Sequence, residues 1–291
     1  MIPTNFHLEP TSCCAFARRL LQSCEAFHRY WYMVGLANFL SGLHLFTIGQ
    51  NSSNMAWRCT GRTNAELISN LAASGLIQNE RVLRAMSGVD RAHYCPHSSS
   101  AYEDSPQSIG HGATISAPHM HASACESLLP FLHPTARVLD IGSGSGYLTH
   151  VLANLVAGGT SDADGSQAGA KVIGIDHIQP LVTLATNNMS KSKDGRALLE
   201  KGRVDFICGD GRKGYPEGAP YDAIHVGAAA QSLHSDLLDQ LKSPGRMFIP
   251  VEEQSGFGDQ WIWVVDKDPD GNIRKEKTMG VRYVPLTDAP R

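Results

Sequence analysis

The chain has no Cys-x-x-Cys pair, no dense run of lysine and arginine, and few aromatic residues, 7% of 291. Its seven cysteines (13, 14, 24, 59, 95, 125 and 208) are scattered and odd in number. Over this length that excludes a disulfide framework and suits a reducing compartment, with the cytoplasm expected. A net charge of −3 gives no electrostatic footprint for nucleic acid. With 42% hydrophobic and 18% charged residues, the composition is that of a folded protein rather than a disordered one. The length allows one large α/β domain plus an appendage.

One long uncharged stretch stands out, Tyr30 to Gly49 (YWYMVGLANFLSGLHLFTIG). It has the minimum length of a membrane span, but Asn38, Ser41, His44 and Thr47 dilute it, and no stable membrane partner is expected. The pattern changes near residue 55. Before it, Arg18, Arg19 and Arg29 outnumber Glu9 and Glu25. The segment 1–54 therefore reads as an N-terminal extension. A targeting presequence and a non-native start upstream of Met55 both fit, and a genuine leader would move the protein to an organelle or a membrane surface. Residues 55–291 read as one domain.

What is present begins with Arg137 to Gly146, RVLDIGSGSG. Val138, Leu139 and Ile141 suit a buried strand, and three glycines at alternate positions suit a sharp turn that a ligand can approach closely. Tyr147 to Val156 follows with apolar residues at helical spacing. Lys171 to Asp176 (KVIGID) is a second strand ending in a carboxylate. In nucleotide-binding α/β units an acid about 20 residues past the turn takes the ribose hydroxyls. Asp176 lies further on, and the solvated, glycine-rich Gly158 to Ala170 accounts for the excess as a loop insertion. The glycine spacing is G-x-G-x-G rather than the G-x-G-x-x-G of dinucleotide sites, and Asp140 stands two residues before Gly142. A carboxylate there repels a pyrophosphate and suits a cationic ligand. That disfavours a nicotinamide-dependent oxidoreductase and favours S-adenosylmethionine, with its ammonium and sulfonium.

Further strand candidates are Val204 to Cys208, Tyr221 to Val226, Arg246 to Val251 and Trp261 to Val265. Asp270-Gly271 is a turn that can join the last of these to Val281 to Pro285 as an antiparallel pair. Helices are expected at Glu66 to Leu71, Val82 to Met86, Ser123 to Leu129 and Leu233 to Leu241, with His93 to Pro118 as a loop. The expected fold is a doubly wound α/β domain with a mostly parallel seven-stranded sheet and an antiparallel terminal strand pair.

Several segments occur in a telling order: Met55-Ala56-Trp57, DSPQSIG (104–110), ATISAPHMH (113–121), DIGSGSG (140–146), VIGIDH (172–177), GDGR (209–212), YDAIHVGAAA (221–230), DQLK (239–242) and GVRYVPLTD (280–288). In these the chain resembles the protein-L-isoaspartate (D-aspartate) O-methyltransferases from Met55 to Asp288. The glycine turn is shared by many methyltransferases; DSPQSIG and ATISAPHMH are more specific. The resemblance implies a sheet of the S-adenosylmethionine-dependent methyltransferase type. It also implies methyl transfer from that cofactor to the α-carboxylate of L-isoaspartyl, and by extension D-aspartyl, residues of damaged proteins, after which a succinimide re-forms and opens partly to aspartate. Isoaspartyl proteins and peptides are the implied partners, and a monomer is expected. The extension and the long glycine-rich loop depart from the family pattern outside the cofactor motifs.

By match to the family motif, Ser116 is the catalytic residue, orienting the carboxylate through a hydrogen bond, with Ile115, Ala117 and Pro118 lining the site. Asp140 and the Gly142-Ser143-Gly144 backbone are implied to hold the methionine end. Asp176 takes the ribose hydroxyls beside His177, Asp210 and Gly211 reach the adenine amino group, and Thr287 stands near the cofactor. Arg282 and Tyr283 are candidates for docking an extended peptide. His119, His121 and Cys125 follow no zinc spacing, and no metal is expected. A non-catalytic binder of isoaspartyl proteins is the remaining alternative; intact Ser116, Asp140, Asp176 and Asp210 argue against it.

Overall fold

The computed structural model describes residues 59–157, 169–253 and 258–287. The extension 1–54 with its uncharged stretch, and the insertion from 158 to 168, lie outside the described residues. Among the described residues no helix is long and apolar enough to cross a membrane.

Two capped helices open the domain. Thr63 Oγ1 accepts the Glu66 amide at 3.2 Å and starts α1 (Asn64–Ala73). Gly75, in the left-handed region at φ 73°, ends the turn after it. Asn79 caps α2 (Glu80–Gly88) in the same way. The stretch from His93 to Pro118 is more than the expected loop. It contains the hairpin β1 (Gln107–Gly110) and β2 (Ala113–Ile115), turned by Gly110, His111 and Gly112, all at positive φ. Strands of four and three residues are too short to show an alternating pattern. Helix α3 (Pro118–Leu128) begins five residues before the predicted Ser123, because Pro118 suits its first turn and Asp104, distant in sequence, accepts the His119 amide at 3.0 Å.

The main sheet has seven strands in the order β5-β4-β3-β6-β7-β8-β9. Strands β3 (Arg137–Ile141), β4 (Lys171–Asp176), β5 (Val204–Cys208), β6 (Tyr221–Val226) and β7 (Leu241–Glu252) run parallel; β8 (Gln260–Lys267) and β9 (Ile273–Val281) are antiparallel. Helices α4 (Tyr147–Ala157), α5 (Gln179–Met189), α6 (Lys193–Glu200) and α7 (Ser235–Gln240) make the crossovers. The mostly parallel sheet with its antiparallel edge is the expected one. The last strand is not. The Asp270-Gly271 turn leads directly into β9 from Ile273, not into 281–285. Its sequence, IRKEKTMGV, has a run of four charged residues and is almost wholly exposed, so it carries no apolar alternation and suits a sheet edge. Residues 282–287 instead fold back over the sheet: Ala229 donates to the Val284 carbonyl at 2.8 Å, and Leu286 donates to Ala229 at 2.7 Å. Gln260 holds the bend by accepting from the Tyr283 amide and donating to its carbonyl.

The connection after β3 goes to β4 on one side, while β6 lies on the other. Ligands of open α/β sheets bind where the strand order reverses in this way, outside the carboxyl ends. The core beneath is fully buried, with Leu139, Ile141, Ile224 and Met247 at 0% exposure. Leu139→Ala is expected to lower the unfolding free energy by about 2–5 kcal/mol, measured by urea denaturation.

Candidate active site

The glycine turn sits at that reversal. Gly142 (φ 73°) and Gly144 (φ 51°) adopt conformations that side chains rarely take. The Gly142 and Ser143 amides donate to the Ile175 carbonyl at 2.8 and 3.1 Å, which ties the turn to the end of β4. A Cβ on Gly146 would lie 3.0 Å from Ala185 Cβ and from the Phe206 ring, so this glycine lets α4 close onto its neighbours. Asp176 caps the arrangement, accepting from Gly144 N–H at 3.1 Å and from Ile178 N–H at 3.0 Å. Burial pushes its carboxyl up from the usual aspartate range, against the lowering effect of these amides.

Three connected hollows meet here. The first, of about 350 Å³, has Gly142, Gly144, Asp176, His177, Gly211 and Thr287 in its wall, with apolar Ile178, Leu181 and Leu286. A chamber of about 30 Å³ is lined by Ile115, Ser116, His121, Asp140, Ser143 and Tyr147. A groove of about 400 Å³ is bounded by Ser116, Ala117, His119, Met120 and the tail residues 280–284. Thr114 and Gly227 border all three, and Ser116 separates the chamber from the groove. Tyr283 and Ser116 line the groove together, and burial raises the pKa of the tyrosine against the lowering effect of the serine beside it.

Most of the predicted residues thus come together, from segments far apart in sequence. Two do not line the hollows. Pro118 opens α3 and is buried behind Ala117. Asp210 is held by Arg212 in a two-pronged ion pair at 2.9 Å, which lowers its pKa below the usual range. Its neighbour Gly211 has no room for a side chain, since a Cβ would lie 2.3 Å from Ile141 Cγ2. His119, His121 and Cys125 do not gather: His119 Nδ1 donates to Asp104 at 2.8 Å, and His121 faces Arg91. Sequence reasoning missed Thr114, His121 and Gly227. Only the ATISAPHMH and YDAIHVGAAA motifs carrying them offered a signal.

The chamber is polar and unsatisfied. Asp140, 1% exposed, accepts from His225 Nδ1 at 2.8 Å and Thr149 Oγ1 at 2.5 Å; no lysine or arginine pairs with it. Ser143 Oγ and Tyr147 Oη are buried with no hydrogen-bond partner. Orphaned hydroxyls of this kind mark a place where a polar ligand completes the bonding.

The protein-L-isoaspartate(D-aspartate) O-methyltransferase family model matches residues 62–291. The chain belongs to that family. It is 42% identical over 277 residues to protein-L-isoaspartate O-methyltransferase 2 of Arabidopsis thaliana, covering 92% of this chain and 83% of the relative. That is more than residues 55–291 alone can supply, so the alignment reaches into the N-terminal extension. The chain is 45% identical over 233 residues to the Caenorhabditis elegans enzyme, covering 80% and 96%. Among solved structures it is similar to a Plasmodium falciparum protein described as a member of this family and crystallised with S-adenosyl-L-homocysteine. Identity is 32%, the TM-score 0.69, and coverage 78% of this chain and 99% of the other. The methyltransferase family thus accounts for the sheet order and for the glycine turn at its centre.

Two buried histidines, His121 in the chamber wall and His150 behind it, are held neutral. His150 donates from Nε2 to Asp194 at 3.0 Å and accepts from the Tyr94 hydroxyl at 2.6 Å; burial lowers its pKa, as it does that of His121. Both therefore take up protons more readily when unfolded. Their contribution to stability is complete above the ordinary histidine value of 6.5 and is lost as the pH falls below it. Unfolding free energy between pH 6.5 and 5 is expected to fall by up to about 1.4 kcal/mol per pH unit for each. Chemical denaturation across that range, with His150→Gln removing roughly half of the slope, checks this.

Proposed function

We propose that the chain transfers the methyl group of S-adenosylmethionine to the α-carboxylate of isoaspartyl residues in damaged proteins, which allows them to close to succinimide and reopen partly as aspartate. The observation that carries this is the placement of Ser116, on the wall shared by the polar chamber and the open groove, in a chain of this family. The protein in the similar Plasmodium structure binds S-adenosyl-L-homocysteine, the demethylated product of that cofactor.

The hollows fit the cofactor part by part. Asp176, fixed by two amides, has lone pairs left for a ribose diol, and Ile178, Leu181 and Leu286 offer apolar surface for a purine. Asp140 has no lysine or arginine partner among the described residues and suits an ammonium; Ser143 and Tyr147 supply unpaired hydroxyls for the amino-acid end. With its carboxylate tied to Arg212, Asp210 offers the cofactor the Gly211 backbone. When bound, the cofactor supplies an activated methyl on a sulfonium.

The protein's own task is then positional. A carboxylate of pKa about 4 is already ionised at neutral pH, so no general base is needed to generate the nucleophile. Ser116, on the wall between groove and chamber and beside Tyr283, orients the incoming carboxylate oxygen toward the chamber mouth. Alignment of this kind can contribute roughly 7–11 kcal/mol in ideal cases. The groove takes an extended peptide along 280–284, with Arg282 exposed beside it. Cys95, Cys125 and Cys208 form no disulfide among the described residues, which supports a reducing, cytoplasmic location. The reach of the Arabidopsis alignment supports residues 1–54 as a true extension rather than a spurious start.

Titration calorimetry is expected to show binding of S-adenosylhomocysteine and none of NAD. In a methanol-release assay the enzyme should turn over an isoaspartyl peptide and ignore its aspartyl twin. Ser116→Ala should lower kcat about 10- to 100-fold with little change in cofactor affinity. Equal activity on both peptides, or cofactor binding without any turnover, would reject the proposal.

A further inference from the structure

Arg91 is the one fully buried arginine among the described residues, at 0% exposure, and no carboxylate lies within ion-pair distance of it. Asp104 acts on it only from further away, with one oxygen taken by His119. A buried charge without a counter-ion is costly unless the structure or a ligand compensates it. The three groups that the Arg91 guanidinium touches all line the same chamber. Its Nη2 donates to the Ser116 carbonyl at 2.8 Å, its Nη1 meets His121 Nδ1 at 3.4 Å, and its guanidinium lies 5.3 Å from the centre of the Tyr147 ring. Its Nε has no partner.

These contacts set the chemistry of the wall. A guanidinium only donates, so His121 Nδ1 must accept, and the imidazole proton is placed on Nε2. His121 is therefore a neutral donor, as are the orphaned hydroxyls of Ser143 and Tyr147. The chamber thus combines an anion with no lysine or arginine beside it among the described residues, Asp140, with donors backed by a guanidinium that has no carboxylate in ion-pair reach. A zwitterion satisfies both.

Resting on the cofactor reading above, we infer that Arg91 is a positioning residue that makes this chamber selective for the carboxylate of the cofactor's amino-acid end. It acts through Ser116, His121 and Tyr147 rather than by contact. It also couples that recognition to the backbone of Ser116, so that the amino-acid end and the methyl acceptor are oriented by one buried charge.

Calorimetry with S-adenosylhomocysteine and 5′-methylthioadenosine tests this, because the second ligand keeps the nucleoside and sulfur but lacks the amino-acid end. Arg91→Met should weaken S-adenosylhomocysteine about 10- to 100-fold while methylthioadenosine stays within about 2-fold. A decarboxylated S-adenosylhomocysteine should bind wild type and variant alike. Should Arg91→Met not fold, Arg91→Lys keeps the charge without the fork, and its loss should be about 3- to 10-fold, again confined to the ligand with the carboxylate. Equal losses for all ligands, or no loss for any, would overturn the inference and leave the cofactor reading standing. Wild-type protein that binds neither nucleoside would end both.

Discussion

Two backbone hydrogen bonds hold the site in register: Gly142 N–H to the Ile175 carbonyl at 2.8 Å, and Gly227 N–H to the Ile141 carbonyl at 2.7 Å. They join the carboxyl ends of β4, β3 and β6 where the strand order reverses. Each donor is a glycine for its own reason: Gly142 takes a left-handed φ of 73°, and a Cβ on Gly227 would sit 3.1 Å from the Gly142 carbonyl oxygen, where the two turns nearly touch. This close approach opens the larger hollow on one side and the small chamber on the other. Widening it by one methyl group would displace Asp140 and Asp176 from each other.

Around that joint the charges are arranged economically. The two buried acids are held differently, Asp176 by amides and Asp140 by a histidine and a threonine. Neither is neutralised by a lysine or arginine, and the buried Arg91 is not neutralised by an acid. Such a site is under-compensated alone and complete with a zwitterionic ligand. The chemistry needs no residue to form or break a bond to the substrate. Selectivity and rate therefore rest on placement, which explains why much of the polar network, including the Tyr94–His150–Asp194 chain, lies behind the site.

The tail has a similar logic. Strand β9 is charged and exposed, yet it delivers residues 280–287 to the rim of both large hollows. The side-chain amide of Gln260 and the backbone of Ala229 hold that return. The same short segment thus walls the groove opposite Ser116 with Tyr283 and closes the cofactor side through Leu286 and Thr287.

The parallel core, the glycine turn and Asp176 were legible because each is a local pattern: apolar runs of five or six residues, glycines at alternate positions, an acid at a strand end. Ser116 was legible only through its motif, since an isolated loop serine carries no signal of its own. The β1–β2 hairpin and the path of β9 escaped because short or charged strands lack periodicity. The amino-acid order alone therefore determined the sheet, the turn and the class of ligand. Tertiary structure decided that Arg212 claims Asp210, that Tyr283 reaches Ser116, and that Arg91 lies buried without an ion-pair partner. The last two bring together segments far apart in the chain, and the first pairs neighbours two residues apart whose side chains could equally have faced the ligand; neither kind of pairing leaves a trace in spacing.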